Sequence, residues 1–444
     1  MPFTDDHRRD HGRKRVPEGL CHVCKTLRLA GVPHVSLFGH RNRTSQGMKF
    51  LAELIGWGRA SGNGTLSVHP AWRTVASDLY CTVGKKAGEL AMSTMQAVML
   101  TAPGVVEQVT VPAPGAPLGD EVLIRVTRAG ICGSELEGVV TKSPRRKPPL
   151  IMGHEFAGVI ESVGPDVDTA RWRVGDRVVP NPLMPCGQCR TCQRGRTNAC
   201  PNRILLGLHR DGGHAELAKC SVRHLHRTPS GISDDDAATA EPLAVAVHGV
   251  RLLGEAGVLP RSIVIFGAGT IGLLALQSAR LAGATTTVVI DRDPHRLEVA
   301  SRLGATRVID ARTDDGSTDA LGRLALEMTD GEGFDGALDC VGVGATRAGA
   351  VRMVAPGGTA VWIGSAADEI PVRGMELVLN EKRVQGAYSY TDHDFSAALG
   401  LLAAGRVELT SWSKVYGLGE GASLFTRLLT HTEPCIKALL DPRG

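Results

Sequence analysis

Hydrophobic and polar positions follow two different patterns along the chain. From Met95 onward, short apolar runs alternate with turns rich in proline and glycine, as in a small β-barrel or sandwich. After Ser233, short apolar strands alternate with longer segments of helical period, which is typical of an α/β domain. The pattern therefore predicts two folded domains of different secondary structure.

The predicted elements can be placed by residue number. Before residue 95, one short amphipathic segment is predicted, at 48–57. In the β-rich part, strands are predicted at 96–100, 105–111, 121–128, 156–163 and 177–179, followed by an aperiodic loop from 180 to about 204. In the α/β part, helices are predicted at 234–253, 271–282, 294–303, 345–353 and 394–404, and strands at 263–266, 287–290, 307–309, 336–338, 360–364, 383–387 and 435–440.

Composition and charge separate the beginning of the chain from the rest. The chain has 444 residues, and its content of 43% apolar and 22% charged residues excludes disorder throughout. Residues 1–94 contain 14 Lys or Arg and 7 Asp or Glu, whereas residues 95–444 contain 36 and 39. The net charge of +4 therefore belongs to the N-terminal part, and it gives no reason to expect nucleic acid as a partner of the folded part.

Residues 1–94 match neither pattern, and we interpret them as an N-terminal extension that is disordered or lies upstream of the true start. Two alternatives are a small metal site at Cys21 and Cys24 with neighbouring histidines, and a basic nucleic-acid patch at 8–15. The charged N-terminus lacks the apolar segment of a secretion signal. We therefore expect a cytoplasmic protein without a membrane partner.

A glycine-rich motif follows one of the apolar strands. Gly267, Gly269 and Gly272 form a G-x-G-x-x-G sequence that leads into an apolar helix, and Asp291 ends the next predicted strand. Such glycines permit a tight turn and let the backbone approach a pyrophosphate at the helix N-terminus. An acid at the position of Asp291 accepts hydrogen bonds from a ribose, so we expect NAD. The basic Arg292 beside it keeps NADP as the less favoured alternative.

Four cysteines crowd into fifteen positions of the aperiodic loop. Their spacing, C-x2-C-x2-C-x7-C, suits a tetrahedral zinc with four thiolate ligands, which leaves no position for a substrate and makes the site structural. An iron–sulfur cluster is the weaker alternative, because the ferredoxin sequence has three residues, not seven, before its last cysteine. The four residues are Cys186, Cys189, Cys192 and Cys200.

A second metal site is predicted from residues far apart in the sequence. His154 and Glu155 open a predicted strand, and Cys132 follows an earlier one. Glu241 lies in an otherwise apolar predicted helix. A cysteine, a histidine and a carboxylate can hold a zinc that keeps one coordination position open, as a catalytic zinc requires. Such a zinc polarises an alcohol oxygen and lowers its pKa.

Together these motifs resemble those of the zinc-containing medium-chain alcohol dehydrogenases, over residues 95–444. The Gly-His-Glu sequence at 153–155, the four-cysteine loop, the glycine motif and the Asp-Cys-Val-Gly turn at 339–342 occur in that family's order. The Glu-Pro-Leu sequence at 241–243 resembles the corresponding sequence in the polyol and threonine dehydrogenase branch of the family. In that branch a Glu takes the place that a Cys holds in liver-type alcohol dehydrogenases.

The resemblance implies a fold and an assembly. The fold is α/β, with a GroES-like, β-rich catalytic domain at 95–245 and 387–444 and a Rossmann-type parallel-sheet domain at 246–386. The assembly is a homodimer or a homotetramer with two zinc ions per chain.

It also implies roles for individual residues. Cys132, His154 and either Glu155 or Glu241 would hold the catalytic zinc, with the two carboxylates exchanging as the substrate enters. Ser134 would accept the proton of the alcohol and pass it outward.

Two residues depart from the family pattern. Glu135 replaces the Asp that braces the zinc-bound histidine, and it keeps the carboxylate on a longer side chain. Glu137 replaces the histidine that relays the proton outward, which leaves the last step of proton exit open.

The predicted function is hydride transfer between a secondary alcohol, such as a polyol, a sugar or an amino-alcohol, and NAD. One alternative is an aminocyclitol or sugar dehydrogenase of a biosynthetic pathway. Another is a non-catalytic, zinc-stapled nucleotide-binding protein. The presence of Cys132, Ser134 and His154 argues against a loss of catalysis.

Overall fold

A computed structural model describes residues 93–255, 260–312, 317–370 and 372–444. The amphipathic segment predicted at 48–57, the N-terminal cysteine pair and the basic run at 8–15 lie outside these residues. Among the described helices, none is both long and apolar enough to cross a membrane.

The strands are β1 (Thr94–Ala102), β2 (Val105–Pro112), β3 (Glu121–Gly130), β4 (Leu150–Ile151), β5 (Glu155–Val163), β6 (Arg177–Pro180), β7 (Leu183–Met184), β8 (Ile204–Leu205), β9 (Leu217–Ser221), β10 (Leu225–Arg227), β11 (Ser262–Phe266), β12 (Thr286–Asp291), β13 (Arg307–Asp310), β14 (Phe334–Asp339), β15 (Val354–Trp362), β16 (Arg383–Gly386), β17 (Ser413–Gly417) and β18 (Lys437–Asp441). The helices are α1 (Gly133–Val140), α2 (Arg190–Gln193), α3 (Asp234–Ala238), α4 (Ala240–Gly254), α5 (Thr270–Leu281), α6 (Pro294–Arg302), α7 (Thr318–Met328), α8 (Gly344–Met353), α9 (Gly374–Leu379), α10 (Asp392–Ala403) and α11 (Gly421–Leu429). Short 3-10 turns lie at Thr197–Ala199, Val222–His224 and Leu418–Glu420.

The β-rich part is held together by a sheet that uses both early and late strands of the chain. Its order is β10-β6-β5-β3-β18-β17, and β9 also pairs with β3. Alternate residues of β3, such as Val122, Ile124 and Val126, are fully buried against Phe156 and Ile160 of β5. Because β18 pairs with β3, residues about 310 positions apart in the sequence are neighbours in one sheet.

The α/β part is a parallel sheet in the order β13-β12-β11-β14-β15-β16. Both faces of its central strand are covered, as is usual for parallel sheets. Ile263 and Ile265 of β11 point into one apolar cluster, and Val264 and Phe266 point into another on the opposite face. This explains why β11 appears as an unbroken apolar run in the sequence.

The prediction of one continuous helix at 234–253 is wrong, because the segment forms two helices, α3 and α4, which are separated at Thr239. Pro242 accounts for the break, since its ring would collide with the carbonyl of residue 238 in a continuous helix. In the first turn of α4 the same proline is tolerated because no intrahelical N–H is needed there.

Several short elements were not predicted. Helices α1, α7 and α11 each contain a glycine, which weakens the helical signal in the sequence. The loop predicted at 180–204 contains α2, a 3-10 turn and the paired strands β7 and β8.

A buried polar network joins the cysteine-rich loop to α4 and α10. Asp394 lies 2.9 Å from His248 Nδ1 and accepts a hydrogen bond from Arg251 Nε at 2.7 Å. Asn198 of the loop lies 3.4 Å from His248 Nε2 and donates to the Tyr388 carbonyl at 2.8 Å. Burial by itself would raise the pKa of Asp394, but the hydrogen bonds of His248 and Arg251 hold it well below its ordinary value.

Replacing Asp394 with Asn should lower the free energy of unfolding by about 2 kcal/mol at neutral pH, because a neutral amide cannot replace the charged hydrogen bonds of the buried carboxylate to Arg251 and His248. A carboxyl group with a lowered pKa stabilises the fold above its unfolded-state pKa of about 3.9, and this contribution is lost as the pH falls further. Denaturant unfolding should therefore show a constant difference between the wild type and Asp394→Asn from about pH 5 to 8 and a smaller one below about pH 4. The exposed Asp368→Asn is the control, and a difference that grows on acidification would contradict the assignment.

Candidate active site

The register of the main sheet places the site residues next to one another. Gly130, the last residue of β3, pairs with Glu155 of β5 and with Leu439 of β18. Cys132 lies two residues after the end of β3, and Lys437 begins β18. A Cβ atom at Gly130 would overlap the Glu155 carboxyl and crowd the Lys437 side chain. The absence of a side chain at this position therefore makes room for both.

Cys132, His154 and Glu155 form a cluster in which one ligand atom of each lies within 4.8 Å of the others. Glu135 braces this cluster through three contacts. Its Oε1 lies 3.0 Å from His154 Nδ1 and accepts a hydrogen bond from the Gly153 N–H at 2.8 Å, and its Oε2 accepts one from the Cys132 N–H at 3.1 Å. Because Nδ1 of His154 is engaged, Nε2 is the ring atom left for a metal, and thiolate, imidazole and carboxylate donors suit zinc.

Glu135 is fully buried, and its longer side chain still reaches the histidine that it was expected to brace. Burial by itself would raise the pKa of Glu135, but the neighbouring His214 and His154 hold it well below its ordinary value. His214 is also fully buried, and its Nε2 lies 3.0 Å from the Gly130 carbonyl oxygen. The brace is therefore a carboxylate.

Lys437 is a site residue that the sequence reasoning missed. Its ammonium group pairs with Glu155 and donates to the Ile131 carbonyl at 3.1 Å, and the side chains of Lys437 and Glu155 are each 1% exposed. Burial by itself would lower the pKa of Lys437, but Glu155 raises it above its ordinary value. A lone lysine at the start of an apolar strand was the available signal.

The structure does not bring Glu241 into the same cluster. Its carboxyl group is buried in the first turn of α4, but it is not within 4.8 Å of all three of Cys132, His154 and Glu155. It lies beside the hydroxyl of Tyr390, which is 1% exposed. Burial raises the pKa of Glu241 to about 7. Tyr390 was not singled out in the sequence.

Ser134 lies at the exposed edge of the cluster. Its Oγ is 3.4 Å from Cys132 Sγ, and Arg146 Nη2 lies 3.4 Å from that Oγ and 3.2 Å from the Ser134 carbonyl oxygen. Arg146 is 8% exposed and was also missed in the sequence. Glu137 is exposed on α1, and its carboxyl group forms no hydrogen bond among the described residues.

The four cysteines of the loop converge as predicted from their spacing. Their sulfur atoms all lie within 4.8 Å of one another, with pairs at 3.5 to 3.8 Å. Zn–S bonds of about 2.3 Å in a tetrahedron place the sulfurs about 3.8 Å apart, so the group has the size that a zinc ion needs. Backbone hydrogen bonds from Gln188 and Cys189 lower the pKa of Cys186 to about 6, which favours the thiolate that binds metal.

The glycine motif forms a narrow turn between β11 and α5. Gly267 has φ +94°, and a Cβ atom at Gly272 would overlap the Gly267 carbonyl oxygen. Gly269 is the N-cap of α5. Asp291, at the end of β12, accepts hydrogen bonds from the N–H groups of Ala268 at 2.6 Å and Arg292 at 2.7 Å. The turn leaves the space that the backbone needs to approach a dinucleotide pyrophosphate.

A β-rich domain with a Cys-His-carboxylate cluster, next to a parallel sheet with a dinucleotide turn, defines a metal- and nucleotide-dependent dehydrogenase. Two family models match the chain: the alcohol dehydrogenase GroES-like domain over residues 119–230 and the zinc-binding dehydrogenase over residues 270–404. The chain belongs to the zinc-containing medium-chain alcohol dehydrogenase family.

Individual relatives agree with this assignment. Sorbitol dehydrogenase of Bacillus subtilis is 33% identical over 331 residues, which cover 73% of this chain and 90% of that protein. L-Threonine 3-dehydrogenase of Saccharopolyspora erythraea is 31% identical over 349 residues, which cover 77% and 93%. A dehydrogenase of Sinorhizobium meliloti, described as zinc-binding and solved with NADP, is 30% identical, with a TM-score of 0.70 over 79% of this chain and all of that one. The predicted fold class is confirmed, and the protein is an oxidoreductase that uses zinc and a nicotinamide cofactor.

Replacing Gly272 with Ala should raise the Kd for the nicotinamide cofactor at least about tenfold, because the new Cβ displaces the Gly267 carbonyl and with it the amides that face the pyrophosphate. Fluorescence titration with the cofactor measures this. Gly400→Ala, a helical position with open space around it, is the matched control. An unchanged Kd in Gly272→Ala would show that the turn does not hold the cofactor.

Proposed function

We propose that the protein oxidises a secondary hydroxyl group of a polyol with NAD, and reduces the corresponding ketone in the reverse direction. The convergence of Cys132, His154 and Glu155 beside the exposed Ser134 carries the proposal. The likeness to sorbitol dehydrogenase supports a polyol as the substrate class.

We infer two zinc sites per chain. Cys132, His154 and Glu155 would hold the catalytic ion, and the four loop cysteines the structural one. When bound, the catalytic ion would supply Lewis-acid polarisation of the alcohol oxygen, and the cofactor would supply the acceptor for the hydride. Glu241 is the second carboxylate near the site, and its position beside Tyr390 supports a role outside the ligand set in the state described by this structure.

The residues of the chain handle the proton. Ser134 Oγ accepts the proton of the alcohol, and Arg146 fixes that hydroxyl by its contacts with both oxygens of Ser134. Glu135 holds His154 in one orientation. Because Ser134 is exposed and Glu137 forms no side-chain hydrogen bond among the described residues, the proton leaves Ser134 directly to water.

Asp291 supports NAD rather than NADP. Three backbone N–H groups, those of Ala268, Arg292 and Asp293, fix its carboxylate at the end of β12. A fixed negative charge beside the ribose accepts hydrogen bonds from the hydroxyl groups and repels a 2′-phosphate.

We also infer that the protein forms a homodimer through the open edge of its parallel sheet. The edge strand β16 is exposed along its length. Just before it in the chain, α9 presents Met375, Val378 and Leu379, each about 70% exposed. An exposed strand edge next to a large apolar patch is a typical interface between protein chains.

A panel of polyols with NAD and with NADP tests the function, with reduction of the nicotinamide followed by absorbance. We expect turnover of at least one polyol and a kcat/KM for NAD about tenfold or more above that for NADP. Asp291→Ser should remove most of this cofactor preference. Absence of turnover with every polyol by the zinc-loaded protein would contradict the proposed substrate class.

Metal analysis tests the two zinc sites separately. We expect about two zinc ions per chain in the wild type and about one in Cys132→Ser and in Cys192→Ser. Cys132→Ser should lose activity but keep the thermal midpoint, whereas Cys192→Ser should lower the midpoint because a structural zinc contributes to folding. The control is Cys220→Ser, which alters a cysteine of β9 outside both groups and should keep both ions. Two zinc ions in either site variant would disprove the assignment of that site.

A further inference from the structure

Two segments near the active site carry many basic residues and no acidic ones. Residues 138–153 contain four Lys or Arg, and residues 180–210 contain five Arg, without a single Asp or Glu in either segment. Within the part of the chain that the structure describes, none of these nine side chains forms an ion pair with a carboxylate within 4.0 Å. They are Lys142, Arg145, Arg146, Lys147, Arg190, Arg194, Arg196, Arg203 and Arg210.

The fold gathers part of this charge around His209. The loop that contains His209 is closed by a hydrogen bond from the Leu205 N–H to His209 Nδ1 at 2.9 Å. Arg146 ties residues 144–147 to the same loop, because its Nη1 donates to the Gly207 carbonyl at 2.9 Å. Partial burial lowers the pKa of His209, and the positive charges of Arg145, Arg203 and Arg146 lower it further.

Arg145, Arg146, Arg203 and His209 form a basic cluster, and two of its members link it to the active site. On one side, Arg146 contacts the oxygens of Ser134, whose hydroxyl lies beside Cys132. On the other side, the Arg203 guanidinium lies 4.3 Å from the centre of the Tyr388 ring. Tyr388 is two residues before Tyr390, which lies beside Glu241. A molecule whose hydroxyl group binds at Ser134 therefore lies next to Arg146, which is tied to the loop of His209.

The available donors are those of the exposed members of the cluster. Arg146 already uses its guanidinium on protein oxygens, and Arg203 donates Nη1 to the Cys200 carbonyl at 2.9 Å. Arg145 and His209 are exposed, and Arg203 is partly exposed. Guanidinium groups bind phosphate and carboxylate through paired hydrogen bonds, and the guanidinium of Arg145 and the remaining N–H groups of Arg203 have no competing carboxylate partner among the described residues.

We propose, on the basis of the proposed function, that the alcohol substrate carries an anionic group, a phosphate or a carboxylate, that binds to Arg145, Arg203 and His209. The anion anchors the end of the substrate that lies away from the reacting carbon. This contact contributes to binding in the ground state and the transition state alike, so its loss raises KM more than it lowers kcat.

Kinetics with three matched substrates test the anchor in the zinc-loaded full chain. The substrates are sorbitol, sorbitol 6-phosphate and L-gulonate, which differ at the same end of the chain in a neutral hydroxyl, a phosphate and a carboxylate. We expect kcat/KM for one of the two anions to exceed that for sorbitol about tenfold, as a hydrogen-bonded ion pair provides. Arg145→Gln should remove this advantage through KM, while Arg194→Gln, the same change at an exposed position of the cysteine-rich loop, should preserve it.

Binding of inorganic phosphate gives a readout that does not depend on turnover. The ring signal of His209 in nuclear magnetic resonance, assigned with His209→Gln, should shift saturably with phosphate in the wild type and in Arg194→Gln. The Kd for phosphate obtained from this shift should rise about tenfold in Arg145→Gln and in Arg203→Gln.

The outcomes separate this inference from the proposed function. Oxidation of sorbitol at least as efficient as that of both anions, or equal effects of Arg145→Gln and Arg194→Gln, would overturn the anion site and leave the polyol proposal intact. Saturable phosphate binding that needs Arg145, without turnover of any of the three alcohols, would support the site and count against the polyol. Phosphate binding that persists unchanged in Arg145→Gln would overturn the site.

Discussion

The pairing of β3 with β5 and β18 at Gly130 is the constraint on which the active site depends. Antiparallel register fixes which residues stand opposite one another, and here it sets Glu155 and the start of β18 beside the end of β3. A shift by one residue would turn Glu155 to the other face of the sheet. Backbone hydrogen bonds between early and late segments of the chain therefore bring Cys132, His154 and Glu155 together.

Buried charge makes this arrangement specific. Glu135 faces His154 and His214, and Glu155 faces Lys437, all within the protein interior. Burying a charge without a partner costs several kcal/mol, so each of these groups requires the others to be in place. The metal-binding side chains are therefore fixed in position before a metal binds. Moving one of these charged groups would leave its partner as an unpaired charge in the protein interior.

The fold and part of the site could be predicted from the sequence because their signals are local. The glycine turn follows directly after its strand, and the four cysteines lie in one loop, so spacing alone indicates what they form. Cys132 and His154 lie in separate segments, so their residue types indicated a metal site, and the resemblance to a family gave them their individual roles. The roles of Lys437, Tyr390 and Arg146 could not be predicted, because each acts through a neighbour that only strand register or helix packing supplies. The break at Thr239 could have been predicted from Pro242.

The hydrogen bonds of Asn198 connect the cysteine-rich loop to the segment that contains Tyr388 and Tyr390. Asn198 lies between the third and fourth loop cysteines, and it holds the carbonyl of Tyr388, which precedes the tyrosine beside Glu241. Oxidation of two of the loop thiols to a disulfide would change the geometry of the loop and disturb the hydrogen bond from Asn198 to the Tyr388 carbonyl. The damage would then pass along the backbone to the wall of the active site. An oxidant could thus inactivate this enzyme without touching any residue that contacts the alcohol.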